Sequence, residues 1–346
     1  MAEIKLLSSC ETDYNNDLHN WTEIERQIKN LAMAGFTHTQ WMQNWEGEYM
    51  YSPSEMFQAR DVLRHYNICA HSIHATEGGK RTTVINGRKI FCNRYRLMDI
   101  RKDYTSPNEY LRLAGVDLLK NRIDLCACIG ASVMVLHMQL PYMLFAEKPE
   151  EKTVYYQQVI KSFDEVSEYA KAAGVRIALE NMICTPQEYQ DEQFDFMFSR
   201  YDSDFLGFAY DSGHGALMCR EDYYHFLKKY TDRLYATHLQ DNASITDELL
   251  YQEDGDKADL EVLLHDAHWV PDVDGTLGRG ILNWDLIADY VAKAPLDLPA
   301  DFEVVLSAAD GSSGDELEQL IACRKQAEHF HQKVITYKTK KGGNQT

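Results

Sequence analysis

Eight short runs of apolar or β-branched residues recur along the chain, and each is followed by a stretch whose apolar positions return every three to four residues. The runs fall at 4–9, 36–42, 68–74, 132–138, 175–181, 205–211, 233–239 and 302–306, and they predict buried strands. The amphipathic stretches lie around 21–34, 54–66, 108–128, 152–173, 187–200, 220–230, 284–293 and 315–333, and they predict helices. Gly35, Gly130 and Gly174 stand just before the second, fourth and fifth strands, where helices must stop. Strict alternation of strand and helix implies parallel strands joined by right-handed crossovers. Eight such units predict an α/β fold, a (β/α)8 TIM barrel, spanning 1–335, with 336–346 as a polar tail. A doubly wound open sheet is the alternative, disfavoured because no Gly-rich turn follows the first strand.

Two insertions, roughly 78–106 and 243–271, leave the C-terminal ends of strands, which form the catalytic face of such a barrel. The first holds a predicted hairpin over 82–91, turning at Asn86-Gly87, a pair that accepts the positive φ angles of a tight turn. The second is rich in acids and ends in His265, His268 and Trp269. A lid or a partner-binding surface is the expected use of both.

Composition narrows the function. Of 346 residues, 45% are hydrophobic and 26% charged, the profile of a soluble globular protein. No stretch approaches the ~20 apolar residues of a membrane helix, and residues 1–10 carry no secretory pattern. Thirty-five basic against 54 acidic residues give a net charge of −19. The only basic cluster, Lys338, Lys340 and Lys341, sits in the tail, so nucleic acid is not the expected partner. The eight cysteines form no C-x-x-C pair, and Cys126-Ala-Cys128 has the wrong spacing for zinc or redox motifs. They are read as reduced, mostly buried thiols of a cytoplasmic protein.

The chemistry lies in what the later strands carry. Glu180 closes the fifth predicted strand, Asp211 the sixth, His238 lies near the end of the seventh, and Glu303 begins the eighth. Buried carboxylates must be paired, protonated or bound to a metal. One shared divalent cation satisfies all four residues. Three oxygens and one imidazole suit Mn2+ first, with Mg2+, Co2+ or Fe2+ as alternatives, better than they suit a structural zinc, which prefers thiolates and imidazoles.

Four segments, Ala178-Leu179-Glu180-Asn181, Tyr210-Asp211-Ser212-Gly213-His214, Thr237-His238-Leu239-Gln240-Asp241-Asn242 and Leu277-Gly278-Arg279-Gly280-Ile281-Leu282-Asn283-Trp284, resemble the xylose isomerase-like barrel superfamily. That group includes sugar isomerases, ketose epimerases, inosose dehydratases, endonuclease IV and the large subunits of C-glycoside deglycosidases. The resemblance implies that Glu180, Asp211, His238 and Glu303 hold one catalytic metal, with the two glutamates as an acid/base pair. It also implies that His214 contacts substrate or a second metal, and that His74 and His137 fall where the endonuclease holds further zinc. One departure stands out. Where relatives often carry Asp-x-His, this chain reads Asp272-Val273-Asp274, which argues against the three-zinc endonuclease.

Several residues remain to be weighed singly. His137, at the mouth of strand four, is a candidate base. His71 and His74 are assigned to one face of strand three, with His74 nearer the mouth and a candidate for substrate contact; His38 is assigned to packing. Trp41 opens the aromatic run Trp41 to Tyr51 and is a candidate platform for a sugar ring. Arg279 is the one candidate for a phosphate.

The expected reaction is metal-dependent removal of a proton beside a sugar carbonyl through a metal-stabilised enediolate, ending in isomerisation or epimerisation. A lyase outcome on a 3-keto-C-glycoside or an inosose is the alternative, and a non-catalytic sugar-binding subunit is the third. The expected partners are a sugar or glycoside and either further copies of the chain or a smaller subunit.

Overall fold

The computed structural model describes residues 6–15, 19–45, 47–76, 82–85, 88–91, 100–183, 185–219, 221–243, 268–306 and 315–342. Eight parallel strands build one sheet: β1 Ser8–Glu11, β2 His38–Trp41, β3 Cys69–His74, β6 Val133–Leu136, β7 Arg176–Glu180, β8 Leu206–Asp211, β9 Leu234–His238 and β10 Ala300–Phe302. Their order follows the chain, with β10 beside β1. At the other end the seam between β9 and β10 is joined by a parallel bridge, Leu239 to Phe302. The predicted barrel is therefore the observed one. A hairpin of β4 Thr82–Ile85 and β5 Arg88–Phe91 forms inside the first insertion, while Asn86 and Gly87 lie outside the described residues. So do 244–267, most of the second insertion, including His265.

The helices are α1 Trp21–Ala34, α2 Pro53–His65, α3 Glu109–Ile129, α4 Tyr142–Glu147, α5 Pro149–Ala173, α6 Gln187–Arg200, α7 Ser212–Met218, α8 His225–Tyr230, α9 Trp284–Val291 and α10 Glu316–Gly342. Local chemistry sets their ends. Ser52 and Glu55 cap α2 reciprocally around Pro53. Gly35, Gly130 and Gly174 end α1, α3 and α5 in the left-handed region, at φ 93°, 85° and 71°. Each long helix buries one stripe, as α5 does with Tyr155, Val159, Phe163, Val166 and Ala170. Each such side chain contributes about 1.5–3 kcal/mol for aliphatic and aromatic groups of this size.

Three boundaries differ from the sequence expectation. The first strand is Ser8–Glu11, not 4–9, and the last is Ala300–Phe302, so Glu303 follows β10 instead of opening it. The stretch from 336, expected as a polar tail, continues α10 to Gly342; Val334 is buried and Tyr337 packs against the core.

Inside the barrel the side chains form layers. Val133, Val135, Ala178, Ala209, Tyr235 and Ala236 make an apolar layer separate from the larger core between sheet and helices. A polar layer accompanies it. Ser9 Oγ donates to Asp301 Oδ1 (2.6 Å), His71 Nε2 lies 2.9 Å from Asp301 Oδ2, and Gln40 donates to Ser72 (2.9 Å). His38 also belongs here, its ring 6.3 Å from that of His71.

Alternation alone would put His71 and His74, three residues apart, on opposite faces. A register shift resolves this: Thr39 pairs with Ala70 but Gln40 pairs with Ser72, so a bulge at His71 turns two successive residues inward.

Gly207 sits where a methyl group would meet the Tyr235 ring and the Arg233 carbonyl oxygen. Gly207→Ala is expected to cost about 1–3 kcal/mol through overpacking. A lower midpoint in urea or thermal unfolding checks this; an unchanged midpoint would show that the interior layer has room to give.

Candidate metal centre

The strand ends carry four side chains to one point. Glu180 ends β7, Asp211 ends β8, His238 ends β9, and Glu303 follows β10 by one residue. Each offers a ligand atom, and the four atoms lie within 4.8 Å of one another. Neighbouring polar groups fix them. Asn181 clamps β7 to β8, donating to the Asp211 carbonyl (2.8 Å) and accepting from its N–H (2.8 Å). Asp211 Oδ1 caps α7 by accepting from His214 N (2.6 Å), while Oδ2 accepts from Gln240 Nε2.

Glu180 is the hub. Its side chain is fully buried and is met by four imidazoles: His137 at 2.8 Å and His74 at 3.5 Å from Oε2, His238 at 3.1 Å and His214 at 3.3 Å from Oε1. His238 Nδ1 is also 2.8 Å from Glu303 Oε2. Several of these close atoms are not hydrogen-bonded: His238 Nδ1 and Nε2, Glu180 Oε1 and Glu303 Oε2 are buried without a partner. Ligand atoms that crowd one point without bonding to each other could hold a cation, and the donor set fits a divalent ion. His74, His137 and Glu180 form a second such group, and His74, His238 and Glu303 a third.

The electrostatics also favour positive charge here. Burial alone would raise the Glu180 carboxyl, but His238 and His137 hold it well below the usual carboxylate range. Glu303 is lowered against its own burial, chiefly by His238. In return Glu180 and Glu303 draw the His238 imidazole well up despite burial. Burial, with Glu303 and Glu180 nearby, pushes Asp211 up to about 7 against the pull of His214. His74 is lowered, first by burial and then by His137.

Of the residues singled out in the sequence, Glu180, Asp211, His238, Glu303, His74, His137 and His214 are brought together. Trp41 is not. It points outward, 1% exposed, with Nε1 donating to Tyr51 (3.1 Å) and its ring against Trp21. The aromatic at the site is Trp45, with ring centroids 4.5 Å from His74 and 5.3 Å from His137. Arg279 is also displaced. It stacks over Trp269 and lines a cavity of about 500 Å3 between the 270–279 loop and α10, with Cys323, Lys325 and Gln326. Asp272 and Asp274 face their own turn, accepting from Leu277 N and Thr276 N (2.9 and 3.1 Å). Asp241 pins the following loop, accepting from Ile281 N (3.0 Å) and Trp284 Nε1 (3.1 Å).

Two further residues were missed. Glu11 is buried at the end of β1, and His268 packs edge-on to His214 with ring centroids 6.4 Å apart. The late position of β1 would have pointed to Glu11. His268 had no signal beyond its place beside the second insertion.

Residues 28–325 match the xylose isomerase-like TIM barrel family. The uncharacterized protein y4fM of Sinorhizobium fredii (strain NBRC 101917 / NGR234) is 29% identical over 302 residues, covering 86% of this chain and 87% of that protein. Among solved structures, an L-ribulose 3-epimerase aligns with a TM-score of 0.62 at 16% identity, over 99% of each chain. A D-psicose 3-epimerase, solved in the presence of D-fructose, aligns with a TM-score of 0.61 at 14% identity, over 95% of this chain and 99% of that one. At these identities the likeness is one of fold. No described helix is long and apolar enough to cross a membrane.

A cation must displace protons from this cluster. Groups whose pKa is raised, His238 and Asp211, hold a proton as pH falls and must lose it to bind a metal. Mn2+ affinity is therefore expected to weaken as pH drops from about 8 to about 6, with protons released on binding. Calorimetry in buffers of different ionisation enthalpy measures both; pH-independent binding would place the ion elsewhere. His238→Ala should lower affinity at least 10- to 100-fold, roughly the cost of losing even an outer-shell partner.

Proposed function

The chain belongs to the xylose isomerase-like TIM barrel family, and we propose that it is a divalent-metal-dependent enzyme that removes a proton beside a sugar carbonyl, ending in isomerisation or epimerisation. The convergence of Glu180, Asp211, His238 and Glu303 at the barrel mouth carries this reading. When bound, a divalent cation, with Mn2+ the first choice, supplies positive charge where the carbonyl oxygen gains negative charge, and so acidifies the neighbouring C–H.

The protein's own groups do the rest. Glu180 and Glu303 both reach His238 Nδ1 and are the two carboxylates placed to move the proton. One takes it from carbon; return to the adjacent carbon gives the isomer, and return to the opposite face gives the epimer. His137, hydrogen-bonded to Glu180 Oε2, and His214, beside Oε1, orient that carboxylate and favour its ionised form. Trp45 covers His74 and His137 and screens that side of Glu180 from water.

One observation favours a second outcome. His74 and His137 place two more imidazoles beside Glu180 than proton shuttling between two carbons uses. A group there that protonates a β-substituent would make the enzyme a lyase, acting on a 3-keto-C-glycoside or an inosose. Arg279 is engaged over the Trp269 ring, which favours an unphosphorylated substrate.

Incubation of the Mn2+-loaded protein in D2O with ketoses, inososes and 3-keto-C-glycosides tests both outcomes. Deuterium in a recovered or isomeric sugar is the expected result, and a released aglycone would select the lyase. Glu180→Gln should slow exchange by roughly 10²- to 10⁴-fold. Absence of label and product with metal bound would sink the reading.

A further inference from the structure

Glu11 stands apart from the metal-binding groups. It ends β1, two strands from β9 across the seam, and is 5% exposed. It belongs to none of the three groups whose atoms could share an ion. Its Oε2 is buried without a hydrogen-bond partner. Pairing of Ser9 with Asp301 and Cys10 with Phe302 places Glu11 alongside Glu303 on the inward face. On its other side it pairs with Gln40, whose side-chain amide donates to Ser72 (2.9 Å). Burial holds the Glu11 carboxyl well above the usual carboxylate range; Glu303, Asp13 and Asp301 raise it further against the pull of His238, and no lysine or arginine is among the groups that act on it.

A buried carboxyl oxygen left without a donor is costly, and native structures keep such groups chiefly at functional sites. What Glu11 Oε2 lacks is a hydrogen-bond partner, and a sugar held among Glu180, Glu303 and His238 carries hydroxyls, which donate and accept, beyond the two carbons that react. We propose that Glu11 is a specificity-determining residue whose free carboxyl oxygen receives a hydroxyl of a polyol substrate, outside the reacting pair of carbons. This rests on the reading of the site as a sugar enzyme. The substrate class it implies is a sugar with a free hydroxyl several atoms from the carbonyl; a deoxy analogue at that carbon is rejected.

The test uses the full chain loaded with Mn2+ and a panel of ketohexoses, pentuloses and 3-keto-glucosides, followed by calorimetry and thermal melting. Glu11→Gln is expected to bind Mn2+ as wild type does, while KM or Kd for the responding sugar rises roughly 3- to 10-fold, the worth of a hydrogen bond between neutral groups. The corresponding deoxy sugar should lose affinity in wild type and lose little more in the variant. Glu11→Leu should melt at or above the wild-type temperature without sugar, because it removes an uncompensated buried carboxyl. Loss of Mn2+ affinity in Glu11→Gln would make Glu11 part of the metal shell and overturn the proposal. Lowered melting with unchanged sugar affinity would also overturn it, by showing a structural partner. If no sugar acts on the wild type, the reading of the site as a sugar enzyme falls separately. The melting of Glu11→Leu then still decides, a lower temperature overturning the assignment of Glu11 and an equal or higher one upholding a ligand-facing role.

Discussion

One fully buried carboxylate, Glu180, sets the terms for the mouth of this barrel. Removing such a group from water costs several kcal/mol, and a single ion pair in a dry interior seldom repays it. Here four imidazoles from β3, β6, the start of α7 and β9 surround it, and two more acids, Asp211 and Glu303, complete a cluster that needs positive charge. The arrangement holds only if every contributing strand keeps its register. A slip of one residue in β7 would turn Glu180 out towards the helices and bring Leu179 in. The chemistry of the site and the topology of the sheet are therefore one constraint. The Asn181 clamp between β7 and β8 guards the seam where the slip would do the most harm.

The same constraint explains how much could be read from the sequence. Strands β2, β3 and β6 to β9 were legible because their outward faces are apolar, and a glycine helix stop precedes β2, β6 and β7. The ends of the barrel were not. In β1 the run Ile4, Leu6 and Leu7 drew the predicted strand too early, while the true strand, Ser-Ser-Cys-Glu, is polar and yet buried. A hydrophobic pattern misses it, because Ser9 and Glu11 face a polar interior and Cys10 alone meets the outer core. Glu11 was lost with it. The four candidate ligands were found because an acid or histidine at the end of an apolar strand breaks a pattern, and the break recurs on successive strands.

Other misreadings have a geometric cause. Trp41 and Trp45 differ by one helical turn in sequence, but the first is still in the strand and obeys its alternation, which sends it outward. Trp45 lies past the strand, after Asn44 at positive φ (55°) has turned the chain back over the mouth. His71 does share the inner face with His74, as expected, but through a bulge that no periodicity announces. Arg279 sits in a Gly-Arg-Gly loop whose path is set by Asp241, forty residues away in sequence, and that anchor carries the arginine to Trp269 instead of the ligands. The paths of Trp45 and Arg279 depend on loop geometry beyond the strands, which local pattern does not encode.

Proton removal beside a carbonyl is common to isomerases, epimerases and lyases, so the four ligands cannot choose among them. The choice must lie with groups that touch the substrate outside the cation's reach. Candidates for these stand on two sides of the cluster. On the Glu180 side stand His74, His137 and Trp45, rich in imidazole and covered by an aromatic ring, a setting suited to transferring a second proton. On the Glu303 side stand Glu11 and His268, where a free carboxyl oxygen favours recognition over reaction. If the first side protonates a leaving group, the barrel is a lyase; if it only holds Glu180 in place, the proton returns to carbon. Recognition by Glu11 is compatible with both, so the outcome of the reaction turns on what His137 does with its hydrogen bond to Glu180 once that carboxylate has accepted a proton.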